Sequence, residues 1–376
     1  MENITIEACA AEGKALTHWN GVVVFVPFAV PGDVVDIRVT KKSKNYYEGF
    51  VERIVTPSKD RLEPFCQHFG VCGGCKWQPL PYPMQLEAKR QQVYDQLVRI
   101  GHLNVPEIRP TIPSDKIQYY RNKLEFTFSS KRWLLKDEDI ESVPENDRMG
   151  LGFHVGKFFD KVLDIKHCYL QKDPSNDIRL FIKKYAVENG LDFFDIRQNV
   201  GYVRNMFIRT TDTGDLMVII CFFYENREDR EKMLDAIAEA FPQITSLYYI
   251  INNKLNDSIG DQECILYKGE PTIRETMESL TFRIGPKSFY QTNSEQAYKL
   301  YSVARDFAEL TGNEIVYDLY TGTGTIAQFV SGKAAKVVGI EYVPEAIEDA
   351  KVNAAGNGIT NCEFFAGDMK DVLRRD

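Results

Sequence analysis

From Ile4 to Pro57 the chain alternates short apolar runs with glycines, as in GVVVFVPFAVPGDVVDIRVT and YYEGFVERIV. Runs of this length and spacing predict a small all-β barrel over residues 1–58. Residues 59–84 carry cysteines and no helical or strand period. In MQLEAKRQQVYDQLVRIGHL, Leu86, Val93, Leu97 and Ile100 recur at helical spacing before Gly101. An amphipathic helix is therefore expected within a linker, 85–118, packed on the C-terminal domain. Residues 119–284 alternate β-rich runs (LEFTFSS, LGFHVG, NMFIRTTDTGDLMVIICFF, SLYYIINN) with helical stretches near 173–189 and 226–241, the pattern of a central α+β domain. After GPKSFYQTN, 285–293, a helix over 294–311 leads into strand, Gly-rich turn, helix, strand, helix and strand. That order predicts a parallel, Rossmann-like unit over 285–376, so the whole chain is expected to be multidomain α/β.

The 376 residues are 44% hydrophobic and 27% charged, enough to bury a core in each of two or three domains. No signal-peptide pattern opens the chain and no apolar run reaches the length of a membrane span, so the expected location is cytoplasmic and reducing, with no membrane partner. The net charge of -8 argues weakly against a nucleic-acid partner, but it hides local stripes. Residues 37–61, with Lys41, Lys42 and Lys44, hold seven basic residues against three acids. Residues 116–136, with Arg121 and Lys123, hold six against Glu125 alone. The acidic run DEDIESVPEND that follows, 137–147, reads as a solvated loop.

In CQHFGVCGGCKWQP, Cys66, Cys72 and Cys75 stand within ten residues. Eight cysteines are too sparse for a disulfide scaffold in a chain this long, and clustered reduced thiols more often hold a metal. Three thiolates leave a tetrahedral site one short, and Cys168, in DIKHCYL, is the leading fourth. With no second C-x2-C downstream, an iron–sulfur cluster is preferred and zinc is second. Cys9, Cys221, Cys264 and Cys362 lie in or beside apolar runs and read as small buried residues.

In IVYDLYTGTGTIAQFV, 315–330, a strand ends near Asp318, the turn holds Gly322 and Gly324, and a helix starts near Thr325. Gly322-x-Gly324-x-x-Ala327 alone would also fit a dinucleotide turn. The acids favour S-adenosylmethionine. A carboxylate at Asp318 would repel a pyrophosphate at the helix start, but it suits a cationic methionine end. Glu341, seventeen residues past Gly324, ends the next strand and can accept from ribose hydroxyls. Asp368 ends the third strand, where class I methyltransferases usually place an adenine-contacting acid or amide.

Four features together resemble one family: the small barrel, similar to a TRAM domain; the segment Cys66 to Gln78; FYQTN at 289–293; and DLYTGTGT. They look like the iron–sulfur-containing RNA uracil-5-methyltransferases. The resemblance implies that Cys66, Cys72, Cys75 and Cys168 ligate a [4Fe-4S] cluster, and that Gln291, Tyr320, Glu341 and Asp368 contact S-adenosylmethionine. It further implies a monomer acting on structured RNA, 23S ribosomal or transfer RNA, with Arg121 and Lys123 facing the RNA. In that family a thiol following Asp-Pro-Pro adds to C6 of uracil, and a base near the C-terminus removes the C5 proton. This sequence has no Asp-Pro-Pro and only three of the expected parallel strands, so it reads as truncated, with no catalytic residue of its own and inactive alone. A non-catalytic iron–sulfur RNA-binding module is the alternative. A radical enzyme cleaving S-adenosylmethionine is weaker, because C-x5-C-x2-C departs from the C-x3-C-x2-C that such enzymes need.

Overall fold

The computed structural model describes residues 1–135, 138–139, 141–156 and 158–374; Lys136 and Asp137, where the basic and acidic stretches meet, and the terminal Arg375 and Asp376 lie outside the described residues. The chain divides into two units, Met1–Asp115 with Phe153–Phe159, and Lys116–Gly152 with Asp160–Asp376. Among the described residues no helix is long and apolar enough to cross a membrane.

In the first unit, six strands form one sheet: β1 (Ile4–Thr5), β2 (Ala8–Cys9), β3 (Lys14–Trp19), β4 (Val22–Pro27), β5 (Val34–Lys42) and β6 (Tyr46–Thr56), in the order β1-β5-β6-β4-β3-β2. Alternation along β4 and β5 sends Val24, Val26, Val35 and Ile37 into a core with Ile4, Ile6, Ala15 and Ala29. Buried Asp33 ties the end of the sheet, accepting from the amides of Val30 (2.7 Å) and Ser58 (2.8 Å) and from Arg61 Nη1 (2.6 Å). The expected linker helix forms as α1 (Tyr82–Tyr94) and runs on as a π-helical turn to Ile100. Its stripe is not sunk into a core, for none of its residues is buried. Side chains hold the following segment to it instead: Arg90 Nε donates to the Ile108 carbonyl and Thr111 Oγ1 to that of Leu86.

In the second unit, the central strands are β7 (Lys123–Ser129), β8 (Gly150–His154, whose last two residues count with the first unit), β9 (Val162–Asp164), β10 (Val203–Thr210), β11 (Leu216–Phe222), β12 (Ser246–Ile251) and β13 (Ile265–Gly269). They form one sheet ordered β13-β12-β11-β10-β7-β8-β9. Every residue of β10 and β11 is buried; this is why β11 reads as the continuous apolar run LMVIICF, whereas β10 also buries Arg204, Asn205 and Arg209. The helices α2 (Ser175–Glu188) and α3 (Arg227–Ala240) bury Ile178, Ile182 and Ala186, and Met233, Leu234 and Ile237. A hairpin, β14 (Ile273–Met277) and β15 (Leu280–Ile284), and the helix α4 (Ser294–Phe307) lead to β16 (Ile315–Leu319), α5 (Thr325–Ser331), β17 (Lys336–Glu341), α6 (Pro344–Gly356), β18 (Cys362–Ala366) and α7 (Met369–Val372). The strands β16-β17-β18 pair in parallel, as the strand–turn–helix order requires. One buried cluster runs from Phe207 and Ile219 through Phe282 and Tyr290 to Ala327, Val337 and Phe364. The three-stranded layer therefore stands on the same core as the seven-stranded sheet.

Candidate functional site

At the end of β16 the backbone turns sharply: Tyr320, Gly322 and Gly324 have φ of 64°, 55° and 76°. Tyr320 adopts this left-handed conformation without being glycine, and its side chain is 73% exposed. Asp318 fastens the turn. Its Oδ2 accepts from Thr321 Oγ1 (2.6 Å) and from the Ala327 amide (3.0 Å), and burial pushes its carboxyl pKa up. Thr325 opens α5 as a buried residue, 3.3 Å from the Thr323 hydroxyl.

Glu341, at the end of β17, reaches across to the turn: Oε2 accepts from the Gly322 amide (3.2 Å) and Oε1 from the Val343 amide (3.0 Å). Its carbonyl accepts from the Gly367 amide (2.9 Å), which sets the exposed Asp368 beside it as the N-cap of α7, accepting from Lys370 N (2.8 Å). Gln291 joins from the other side. Its side chain bonds Tyr301 of α4, whose phenol is pushed up by burial and further by the charge of Asp318. Its carbonyl accepts from Asn122 Nδ2 (2.8 Å), which also donates to Ser294 Oγ (3.0 Å).

The structure thus brings Gln291, Asp318, Tyr320, Gly322, Gly324, Thr325, Glu341 and Asp368 to the carboxyl ends of parallel strands, where ligands enter open α/β sheets. Asn122 and Tyr301 join them through Gln291 and carry no signal in the sequence; Tyr342, 72% exposed, directly follows Glu341. Only Tyr342 had a positional signal.

The cysteine loop lies in the first unit. Cys66 donates its amide to Gln78 Oε1 (3.2 Å), and Cys72 pairs with Val155. Gly73 is required, since its amide bonds the His154 carbonyl at 3.0 Å and a Cβ there would meet that oxygen at 2.8 Å. The Gly74 amide donates to Cys72 Sγ (3.4 Å), while burial, then the charges of Cys75 and Cys66, push the Cys72 thiol up to about 11. Cys168 is in the second unit, buried, and gripped on both backbone sides by Asn176: its amide donates to Oδ1 (2.8 Å) and its carbonyl accepts from Nδ2 (3.2 Å). Fully buried Arg179 braces the same turn through the carbonyls of Ile165 and Lys166. Among the described residues no three His, Cys, Asp or Glu side chains are gathered to hold one ion. A single zinc needs its sulfurs about 2.3 Å from one point, so that arrangement is not assembled. Thiol donors with an amide aimed at one sulfur are the kind iron–sulfur chemistry uses, but among the described residues they are not gathered for a cluster either.

Of the basic candidates, Lys41 donates to Tyr46 Oη (3.3 Å), Lys42 lies 5.7 Å over the Tyr47 ring and Lys44 is exposed. Lys42 and Tyr47 line a cleft of about 610 Å³ with Trp19 and Arg38. Arg121 is half-buried; Lys123 sits 5.5 Å over the Phe207 ring, and burial lowers its pKa.

Comparison with known proteins agrees with both halves of this geometry. Residues 2–51 match the TRAM domain family and residues 310–376 a methyltransferase domain family. An uncharacterized RNA methyltransferase of Porphyromonas gingivalis is 57% identical over 98% of this chain and 80% of its own length. One of Bacteroides thetaiotaomicron is 55% identical over 98% of this chain and 82% of its own. The chain belongs to the RNA methyltransferases. The solved structure of Pyrococcus abyssi tRNA (uracil-54, C5)-methyltransferase in complex with S-adenosyl-L-homocysteine superposes with a TM-score of 0.72, at 26% identity, over 98% of this chain and 80% of that one. A TRAM-like barrel and a methyltransferase fold on a multidomain α/β chain, both expected from the sequence, are therefore found.

Proposed function

We propose that this RNA methyltransferase transfers a methyl group from S-adenosylmethionine to carbon 5 of a uridine in structured RNA. The likeness to the Pyrococcus abyssi enzyme over nearly the whole chain carries this reading. Asp318 and Gln291 would serve the methionine end, Glu341 the ribose hydroxyls and Asp368 the adenine, with Tyr320 at the rim. Carbon 5 of uracil is a weak nucleophile. A thiolate adding to C6 turns the ring into an enolate, whose C5 takes the methyl from the sulfonium; a base then removes the C5 proton and the thiolate leaves. Cys362 does not suit that role, because it begins β18, at the end opposite the site, and burial pushes its thiol up to about 11. The reading assigns nucleophile and base to no described residue. The test incubates the protein purified from its native host with methyl-labelled S-adenosylmethionine and separated RNA classes, transfer RNA first. Labelled 5-methyluridine is expected after digestion to nucleosides; label in any other nucleoside would overturn the proposal.

The same reading gives Cys66, Cys72, Cys75 and Cys168 a [4Fe-4S] cluster, and gives Lys41, Lys42, Lys44, Arg121 and Lys123 the RNA. Protein purified without oxygen is expected to contain iron and sulfide. Cys168→Ala should lose both and Cys264→Ala neither. Stoichiometric zinc without iron would defeat the assignment.

A further inference from the structure

Tyr119 has φ of 53°, in the left-handed region that a large side chain seldom adopts. Core packing does not explain keeping an aromatic residue there, because the side chain is 37% exposed. The surroundings nevertheless hold it firmly. Its amide donates to the Tyr169 carbonyl (2.7 Å), the Arg121 amide to that of Leu170 (2.8 Å), and its hydroxyl lies 3.0 Å from His167 Nε2. The three rings form a cluster: Tyr119 to His167 is 6.2 Å at 79°, Tyr119 to Tyr169 is 5.9 Å at 52°, and His167 to Tyr169 is 4.5 Å at 64°. No pair is parallel: the contacts set the edge of one ring toward the face of another, which props Tyr119 while leaving part of its ring at the surface. Strain kept at an exposed, propped aromatic residue points to use, since a small residue would hold this turn at lower cost.

The neighbours indicate the use. Tyr119, Arg121 and Lys172 line one small polar cleft with Asn293 and Ser294, which follow the cofactor-site Gln291. Asn122 holds Gln291 and Ser294 directly, and its amide donates to the Thr292 carbonyl (2.8 Å). Lys172 is engaged with Thr211 and Asp212. Arg121 uses Nε on the Lys123 carbonyl at 3.4 Å, and its terminal nitrogens take no partner among the described hydrogen bonds. Aromatic faces beside an available guanidinium are the means by which proteins hold an unpaired base and its phosphate.

We propose that Tyr119, propped by His167 and Tyr169, is a stacking platform for an unpaired RNA base, with Arg121 on its phosphate, next to the cofactor site. The platform rests on the RNA reading above and adds a base-specific contact to it. The test compares binding of a short single-stranded oligouridine with that of an abasic oligonucleotide of equal length. Stacking contributes about 1–3 kcal/mol per base, so Tyr119→Leu should weaken oligouridine binding about five- to a hundredfold and leave abasic binding within about twofold. Tyr119→Phe should stay within about twofold on both, because it keeps the ring; neither variant relieves the backbone strain. Arg121→Gln should weaken both probes alike and flatten the salt dependence. Equal loss on both probes with Tyr119→Leu, or loss on neither, overturns the platform. Uridine methylation that persists while base-dependent affinity ignores Tyr119 removes the platform alone. Base-dependent affinity with methylation elsewhere than uridine C5 removes the proposed reaction alone.

Discussion

Replacing Gly324 with valine is expected to lower the melting temperature by roughly 5 to 15 °C and to weaken cofactor binding at least about tenfold. Two costs add. At φ of 76° any side chain suffers the left-handed clash, roughly 1–2 kcal/mol. A Cβ there would also meet Ala350 Cβ, Gln328 Nε2 and Phe364 Cε1, each at 3.0 Å, and overpacking of that kind costs about 1–3 kcal/mol. Ala350 and Phe364 belong to the core shared with the seven-stranded sheet, so the damage is not confined to the turn. Gly322→Ala is the comparison. Its φ is 55° but nothing lies within 4 Å of its Cβ position, so it should lose only the backbone share. Thermal melting and titration calorimetry of both variants check this; equal losses would show that the close packing under Gly324 carries no weight.

The turn's place was legible because glycine spacing, strand alternation and helical period all act over a few residues. The strand β11 was legible for the same reason, its burial on both faces showing as the unbroken apolar run LMVIICF. What joins these pieces was not. Asn122 grips Gln291 across 169 positions, and Tyr119 meets His167 across 48. Asn176 and Arg179 sit on α2, where their spacing looks like that of solvated helix residues, yet both are buried around the Cys168 turn. Polar residues that satisfy distant backbone groups leave no period behind. The amphipathic stripe of α1 shows the opposite failure: the period is present, but no residue of the helix is buried. Lys123 shows a third, since strand position alone could not reveal the Phe207 ring beneath it.

Glu341→Ala should weaken binding of S-adenosylmethionine roughly ten- to a hundredfold while changing thermal stability far less than Gly324→Val. Without cofactor, the amides of Gly322, in the turn after β16, and Val343, just past β17, lose their carboxylate acceptor, and water can replace it there. With cofactor, the proposed ribose contact must be made while the same carboxylate still holds the Gly322 amide. Losing charged acceptors costs about 1.5–3 kcal/mol each where water is excluded. Glu341→Gln keeps one acceptor oxygen but turns a donor toward an amide, so an intermediate loss is expected. S-adenosylhomocysteine separates the causes. It carries the same ribose without the sulfonium charge, so a ribose contact predicts equal losses for both ligands in titration calorimetry. A loss confined to S-adenosylmethionine would mean that Glu341 answers the charge, and would move it from the ribose to the methionine end of the site.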